Sequence, residues 1–289
     1  MKLPILRAWP QQLTPYLLLL PGLAVLVPVV FGPPWQVLAL SFTRYDALSP
    51  PVWIGLAHFQ TLAQDAAFGR AIGQTLFLAI LVVPVLVVAP LLLAILANRP
   101  RTGWFRTVCY FPALVSVAIA GVTWKWIYAE NGLLNGWLPT PIPWLTEPGT
   151  ATVAIAVTVI WRGLGYYAAI YLAGLQTIPA DLYDAAALDG SDGWQKHWDI
   201  TIPLMRPYIF LVLVLTTVAA LKIFEEPYLM TRGGPANRTQ TVVYYLVEQG
   251  FQRLNFGYAA AIGTVLFVAT FGISLLALQL QRIAPSARR

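Results

Sequence analysis

Charged residues are scarce in this chain of 289 residues. Asp, Glu, Lys and Arg make up 10% of it, whereas hydrophobic residues make up 58%. An ordinary soluble domain carries about 25% charged residues. A chain with so few charges is solvated mainly by lipid, so the composition predicts an all-α polytopic membrane protein.

The residues that enzymes use for chemistry are also few. None of the four lysines follows a glycine, so no Gly-Lys-Ser/Thr phosphate loop exists and the chain is not itself an ATPase. His58 and His197 are predicted on opposite sides of the membrane, which excludes a zinc site or a Ser-His triad that uses both. Cys109 is the single cysteine and cannot build a metal site alone. We therefore expect no enzyme, no metal and no cofactor in this chain.

Long apolar runs occupy about half of the sequence, and a helix needs about 20 apolar residues to cross a bilayer. Lys2 and Arg7 precede the first run, as in a signal peptide, but that run is too long and lacks a small-residue cleavage site. We therefore expect 1–14 to be a cytoplasmic N-terminus and 15–289 to be one transmembrane domain. The six predicted spans are about 15–41, 72–98, 107–128, 151–176, 207–229 and 258–281.

The net charge of +6 is a signal of topology rather than of nucleic-acid binding. Ten of the 18 basic residues fall in segments that share the side of the N-terminus, and five fall in the alternate loops. Because cytoplasmic loops are enriched in Lys and Arg, both termini and the loop 178–206 are predicted in the cytoplasm. The ten are Lys2, Arg7, Arg99, Arg101, Arg106, Lys196, Arg206, Arg282, Arg288 and Arg289.

The stretch 181–204, DLYDAAALDGSDGWQKHWDITIPL, is a polar island between two predicted spans. Ala185 and Ala186 favour a helix, and Gly190 can adopt the positive φ that ends one. Ser191 can cap a second helix. The sequence predicts two short amphipathic helices joined by a turn, which a membrane protein has little reason to build unless a partner docks on them.

The spacing of Asp184-Ala185-Ala186, Gly190 and Ile200-Thr201-Ile202-Pro203 resembles the EAA loop of ABC-importer permeases. Asp184 stands where glutamate is usual, and Ile202 stands where leucine is usual. The resemblance implies a type I importer permease fold with six transmembrane helices, whose cytoplasmic loop couples to a separate ATPase. The implied coupling residues are Asp184, Ala185, Ala186, Asp189 and Gly190.

WIGLAHFQTL at 53–62 resembles the segment that follows the first span in sugar-type permeases, and the run from Trp124 to Asn135 resembles a permease pattern. TRGGP at 231–235 resembles an outside loop of the MalF-like half of carbohydrate importers. The resemblance implies a second, MalG-like permease subunit, two ATP-binding cassette subunits that bind ATP and Mg, and an extracytoplasmic solute-binding protein. It places the complex in a prokaryotic cytoplasmic membrane. The implied cargo is a di- or oligosaccharide, a sugar-like osmolyte or glycerol phosphate.

A few charges lie inside the predicted spans, where they usually face a partner or water. Sugars suit a path lined by charged groups and aromatic rings, because their hydroxyls hydrogen-bond and their rings stack on aromatic faces. The residues predicted to line the translocation path are Arg162, Tyr166, Tyr167 and Glu225.

The alternative is a structural role for these charges. Arg162 would then neutralise a glutamate on the adjacent helix, and Lys222 would pair with Glu226, four residues later on the same helical face. A self-contained secondary transporter or channel is the alternative function, and it would need coupling-ion sites at broken helices in repeated halves. The lack of an internal repeat in the sequence argues against that class.

Overall fold

The computed structural model describes residues 14–99, 102–191 and 193–283 and is mostly helical within them. The predicted N-terminal segment 1–14 lies outside these residues except for Thr14. A short antiparallel hairpin joins β1 (Thr43–Arg44) to β2 (Val52–Trp53). The helices are α1 (Thr14–Leu26), α2 (Gly32–Leu40), α3 (Ala57–Gln64), α4 (Ala66–Ala97), α5 (Gly103–Leu114), α6 (Val117–Ile127), α7 (Pro148–Leu175), α8 (Ala180–Leu188), α9 (Ile202–Leu221), α10 (Val242–Val247) and α11 (Phe256–Ile283).

Shorter helical turns connect several of these helices. Four are π-helical turns of five residues, and one is a 3-10 turn. The π-helical turns are Val27–Phe31, His197–Thr201, Pro227–Thr231 and Glu248–Gln252, and the 3-10 turn is Asn135–Trp137.

Within the described residues, five helical segments are long and apolar enough to cross a membrane. The pair α5–α6 would make a sixth if it is counted as one span. The prediction of an all-α polytopic fold is thus confirmed. The five segments are Pro15–Leu40, Ala66–Ala97, Pro148–Leu175, His197–Leu221 and Phe256–Gln279.

The third predicted span is not one straight helix. α5 and α6 meet at an angle of 98°, with Val115 and Ser116 in extended conformation between them. Pro112 lies one turn before this break and has no amide hydrogen to continue the helical ladder. The predicted span over 107–128 is therefore a bent pair of helices in the structure.

The fifth span is shifted toward the N-terminus of its predicted range. The π-helical turn His197–Thr201 runs directly into α9, so the second short helix expected after Ser191 is the beginning of this span. At the other end α9 stops at Leu221 rather than near 229. The hydroxyl of Thr241 donates a 2.6 Å hydrogen bond to the carbonyl of Ile223, which holds the chain in its non-helical course.

The described residues form two compact units, and the first unit contains the residues up to Gln64 together with Gln249–Val265. In this unit His58 Nε2 lies 3.0 Å from the carbonyl oxygen of Thr43. The backbone of Gly257 packs against the same carbonyl, which leaves no space for a side chain there.

The second unit contains Asp65–Glu248 and the chain from Leu266 onward. Its core lies where α4 packs on α7 and α9, around fully buried side chains such as Leu78, Ile155 and Met205. The buried Tyr171 of α7 donates a 3.1 Å hydrogen bond to a carbonyl of α4. The boundaries of one permease domain over 15–289 stay a prediction.

Candidate functional site

A cavity of about 300 Å³ opens beside the middle of α7. Its walls come from α4, α5, α7, the end of α9 and the segment that follows α9. We call it the mid-helix cavity. The four residues that the sequence predicts along a path, Arg162, Tyr166, Tyr167 and Glu225, all lie on its wall.

An interhelical ion pair closes one side of the mid-helix cavity. Nη2 of Arg162 lies 3.2 Å from Oε1 of Glu226. The Glu226 side chain is 2% exposed, whereas that of Arg162 is 33% exposed. Among the described residues, the buried Nε of Arg162 has no hydrogen-bond partner. Arg162 thus neutralises a buried carboxylate and keeps donor capacity free.

The glutamate that pairs with Arg162 is not the one placed on the path by sequence reasoning. Glu225 is exposed on the cavity wall, and the neighbouring Glu226 is buried. The expected pair of Lys222 with Glu226 requires a continuous helix, but α9 ends before Lys222. The break turns Glu226 toward α7, and the local sequence alone carries no signal for it.

Two tyrosines give the mid-helix cavity its aromatic surface. Tyr166 is exposed and Tyr167 is buried, and their rings meet edge to face at 5.1 Å. Nearby, Gly165 allows the backbone of α5 to approach α7, since a Cβ atom there would lie 2.5 Å from the carbonyl oxygen of Cys109. This close approach brings α5 to the cavity.

The loop predicted to couple to an ATPase contains α8 and a well-defined turn. Gly190 has a φ of +83°, and its amide donates to the carbonyl of Ala187. The amide of Ser191 donates to the carbonyl of Ala186 at 2.9 Å. These two bonds form a Schellman motif, in which a left-handed residue ends the helix. Gly190 therefore sets the direction in which the chain leaves α8.

Side chains fix α8 to the beginning of the fifth span. Ser191 Oγ donates a 2.6 Å hydrogen bond to Oδ2 of Asp199. The hydroxyls of Tyr183 and the fully buried Thr201 share a hydrogen bond of 3.0 Å. His197 Nδ1 lies 3.0 Å from the same threonine oxygen. These hydrogen bonds attach α8 to the π-helical turn that leads into α9.

The outer face of α8 is open. Asp184, Ala185, Asp189 and Gly190 are exposed and Ala186 is half-buried, so the structure presents all five predicted coupling residues on one short helix and its turn. Sequence reasoning missed the apolar part of this surface. Leu188 is 90% exposed. The signal for it was present in the sequence, because this leucine lies within the predicted docking loop.

Residues 62–288 match the family of the binding-protein-dependent transport system inner membrane component. The match covers most of the chain, and the chain belongs to this family. It is a permease of a binding-protein-dependent ABC importer.

Two curated relatives and one solved structure show how far the similarity extends. The arabinooligosaccharides transport system permease protein AraP of Halalkalibacterium halodurans is 31% identical over 93% of this chain and 88% of its own length. The sn-glycerol-3-phosphate transport system permease protein UgpA of Agrobacterium fabrum is 32% identical over 92% of this chain and 94% of its own length. The solved structure is the crystal structure of a bacterial alginate ABC transporter in complex with an alginate pentasaccharide-bound periplasmic protein. One of its chains superposes on this chain with a TM-score of 0.80 at 27% identity. The superposition covers 92% of this chain and 93% of the other.

Proposed function

We propose that this chain is the MalF-like permease subunit of an ATP-driven importer for a carbohydrate, and that it receives mechanical work through α8. The observation that carries the coupling role is the open face of α8, which presents Asp184, Ala185 and Leu188 to solvent. Short apolar and alanine side chains permit close contact with a cleft, and a carboxylate adds a charge for a basic residue of the partner.

The connections of α8 explain how a push on it reaches the membrane. Only four residues, 176–179, separate the end of α7 from α8, and the hydrogen bonds of Ser191 and Tyr183 attach α8 to the fifth span. At the same end of the bundle, the backbone of Gly174 in α7 faces the ring of Tyr208 in α9 so closely that a Cβ atom would clash with it. α7 and α9 therefore move together as a rigid body when a partner moves α8.

The complete importer requires further subunits. A second, MalG-like permease completes the path, and two ATPase subunits bind ATP and Mg, each receiving one coupling loop. An extracytoplasmic binding protein delivers the cargo on the other side. The family and the likeness to a transporter solved with its periplasmic protein support this assembly. We place it in the cytoplasmic membrane of a prokaryote, with both termini of the chain inside the cell.

The mid-helix cavity is the proposed contribution of this chain to the translocation path. Arg162 and Glu225 offer hydrogen bonds to hydroxyl groups, and the exposed ring of Tyr166 offers a face for a sugar ring. The arabinooligosaccharide relative supports a carbohydrate cargo, and the glycerol phosphate relative keeps that smaller solute as the alternative. The binding protein sets much of the selectivity among them.

Purification in mild detergent tests the proposal directly. The chain is tagged and expressed with its neighbouring genes, and the eluate is analysed for other polypeptides. The proposal predicts ATPase subunits of a different sequence and a second permease in the same complex. It also predicts that the loaded binding protein stimulates the ATPase activity of that complex. A chain that purifies alone and transports by itself contradicts the proposal.

A further inference from the structure

A second cavity, of about 560 Å³, lies at the end of α7 opposite α8. We call it the distal cavity. It is bounded by the end of α6, the loop between α6 and α7, and the π-helical turn Pro227–Thr231. Its lining combines aromatic rings with polar side chains, and the residues used below are Lys125, Trp126, Tyr128, Glu130, Trp144 and Thr146.

One buried asparagine builds the wall of the distal cavity. Asn135 is 5% exposed, and its Nδ2 donates to the carbonyls of Ala129 and Ile142 at 3.3 and 3.0 Å. Its Oδ1 accepts from the amide of Ile142 at 3.0 Å and from Nε1 of Trp144 at 2.9 Å. All the hydrogen-bonding groups of this side chain serve one irregular loop, so the loop holds a fixed shape.

The same network fixes the aromatic surface. The indole N–H of Trp144 donates to Asn135, and the ring of Trp144 lies 5.7 Å from that of the buried Tyr128. Tyr128 stacks in turn on Trp124 at 5.2 Å. Trp126 projects beside this row and is 76% exposed. The cavity therefore has rigid aromatic walls and one open indole face.

Polar groups around these rings are available for a ligand. Within the part of the chain that the structure describes, no hydrogen bond or ion pair occupies the side chains of Lys125, Glu130 or Thr146. One cation and one carboxylate balance in charge, so the distal cavity carries no net attraction for an anion. Hydroxyl-rich neutral molecules suit such a lining, because they use both donors and acceptors and present apolar C–H faces to aromatic rings.

The two cavities share one short segment of chain. Glu226 borders the mid-helix cavity, and Met230 and Thr231 border the distal cavity. The packing of Leu229 against Gly121 of α6 holds this segment in place.

We propose that the distal cavity is a second saccharide subsite, which binds one ring of a neutral oligosaccharide. This inference rests on the proposed function, because it takes the cargo to be a carbohydrate. A membrane-interface belt is the competing explanation for an exposed Trp126, since tryptophan is enriched at that depth. A belt, however, requires neither the Asn135 network nor the polar groups beside it.

Saturation-transfer NMR on the whole importer in nanodiscs tests the subsite. The probes are maltotriose, cellotriose and xylotriose, with inorganic phosphate as a competitor. We expect transfer to ring protons of at least one trisaccharide, with no competition by phosphate. Trp126→Ala should weaken that binding about tenfold. Glu130→Gln combined with Thr146→Val should weaken it about fivefold. Trp137→Ala, an exposed tryptophan of the same loop outside the cavity, is the matched control and should change nothing.

Either of two results overturns the subsite: no transfer from any of the three trisaccharides, or equal effects of Trp126→Ala and Trp137→Ala. ATPase stimulation by the loaded binding protein is measured on the same preparation, so the two proposals fail separately. Stimulated ATPase activity without trisaccharide binding removes the subsite and leaves the importer. Trisaccharide binding that Trp126→Ala abolishes, without any ATPase stimulation, keeps the subsite and removes the proposed coupling through α8.

Discussion

The guanidinium of Arg162 lies 3.2 Å from the carboxylate of Glu226, and this pair ties the middle of α7 to the point at which the fifth span breaks. The carboxylate is buried, whereas the guanidinium is one-third exposed toward the mid-helix cavity. The arginine therefore serves two purposes in the proposed mechanism. It holds two membrane segments together, and it offers its remaining donors to a solute.

Separating these purposes requires removal of both charges. Arg162→Met leaves Glu226 buried without a cation and should destabilise the protein by about 3 kcal/mol. The double variant Arg162→Met/Glu226→Leu should recover most of that loss, because no uncompensated buried charge remains. Thermal unfolding followed by size-exclusion chromatography in detergent measures both.

Measurements of transport then test whether Arg162 takes part in the translocation path. The double variant should fold yet lose most of the substrate-stimulated ATPase activity. Glu225→Gln, at an exposed position one residue away, is the stability control and should shift the unfolding free energy by less than about 0.5 kcal/mol. If the double variant transports as well as the unaltered protein, Arg162 is not part of the path.

The Schellman turn after α8 predicts which substitutions uncouple the importer. A proline at Gly190 cannot adopt a φ of +83°, so Gly190→Pro should redirect the chain and abolish substrate-stimulated ATPase activity. Gly190→Asn is the matched control, because asparagine tolerates the left-handed region and a Cβ atom at this position meets nothing within 4 Å. Ala186→Glu should uncouple as well, by placing a charge at the half-buried contact. Unchanged coupling in Gly190→Pro and Ala186→Glu, with normal membrane insertion, contradicts the docking role.

The Asn135 network predicts a local loss of order when that side chain is removed. Asn135→Ala leaves the partly buried carbonyl and amide of Ile142 without their side-chain partner, at a cost of about 1 kcal/mol. Hydrogen exchange in the loop between α6 and α7 should accelerate accordingly, while exchange in α8 stays unchanged. Asn131→Ala, on the exposed side of the same loop, should have no such effect. Equal exchange in the two variants would show that the network does not order the loop.

The proposed topology can be tested with single cysteines, because Cys109 is the only native one. In a Cys109→Ser background, Leu188→Cys should react with a membrane-impermeant maleimide only in inside-out vesicles. Trp137→Cys, which is similarly exposed but at the other end of α7, should react only in right-side-out vesicles. Co-expression of the ATPase subunits should protect Leu188→Cys and leave Trp137→Cys reactive. The opposite pattern of labelling would place α8 outside the cell.

Features set by local sequence were predictable here. Long apolar runs gave the spans, and the Asp189-Gly190 pair gave the end of α8, because a positive φ there strongly favours glycine. The choice between Glu225 and Glu226 was not predictable. It depends on where the fifth span ends, which in turn depends on tertiary bonds such as that of Thr241 to Ile223.

The Asn135 network escaped prediction for a related reason. Its partners lie up to nine residues away in a loop without regular periodicity, so no pattern in the sequence relates them. The bend between α5 and α6 could be predicted only in part from the sequence. Pro112 lies within α5, about one turn before the bend, but the 98° angle also depends on how the two helices pack against α7 and other neighbours.

Solute uptake into proteoliposomes tests directly whether α8 transmits work from a separate ATPase. The permease is reconstituted alone, then with its partner permease, the ATPase subunits and the loaded binding protein, each with and without ATP inside. We predict uptake only in the complete assembly supplied with ATP, and loss of that uptake in the Gly190→Pro variant. Uptake by this chain alone, or uptake that does not respond to ATP, would contradict the central claim that α8 transmits work from a separate ATPase.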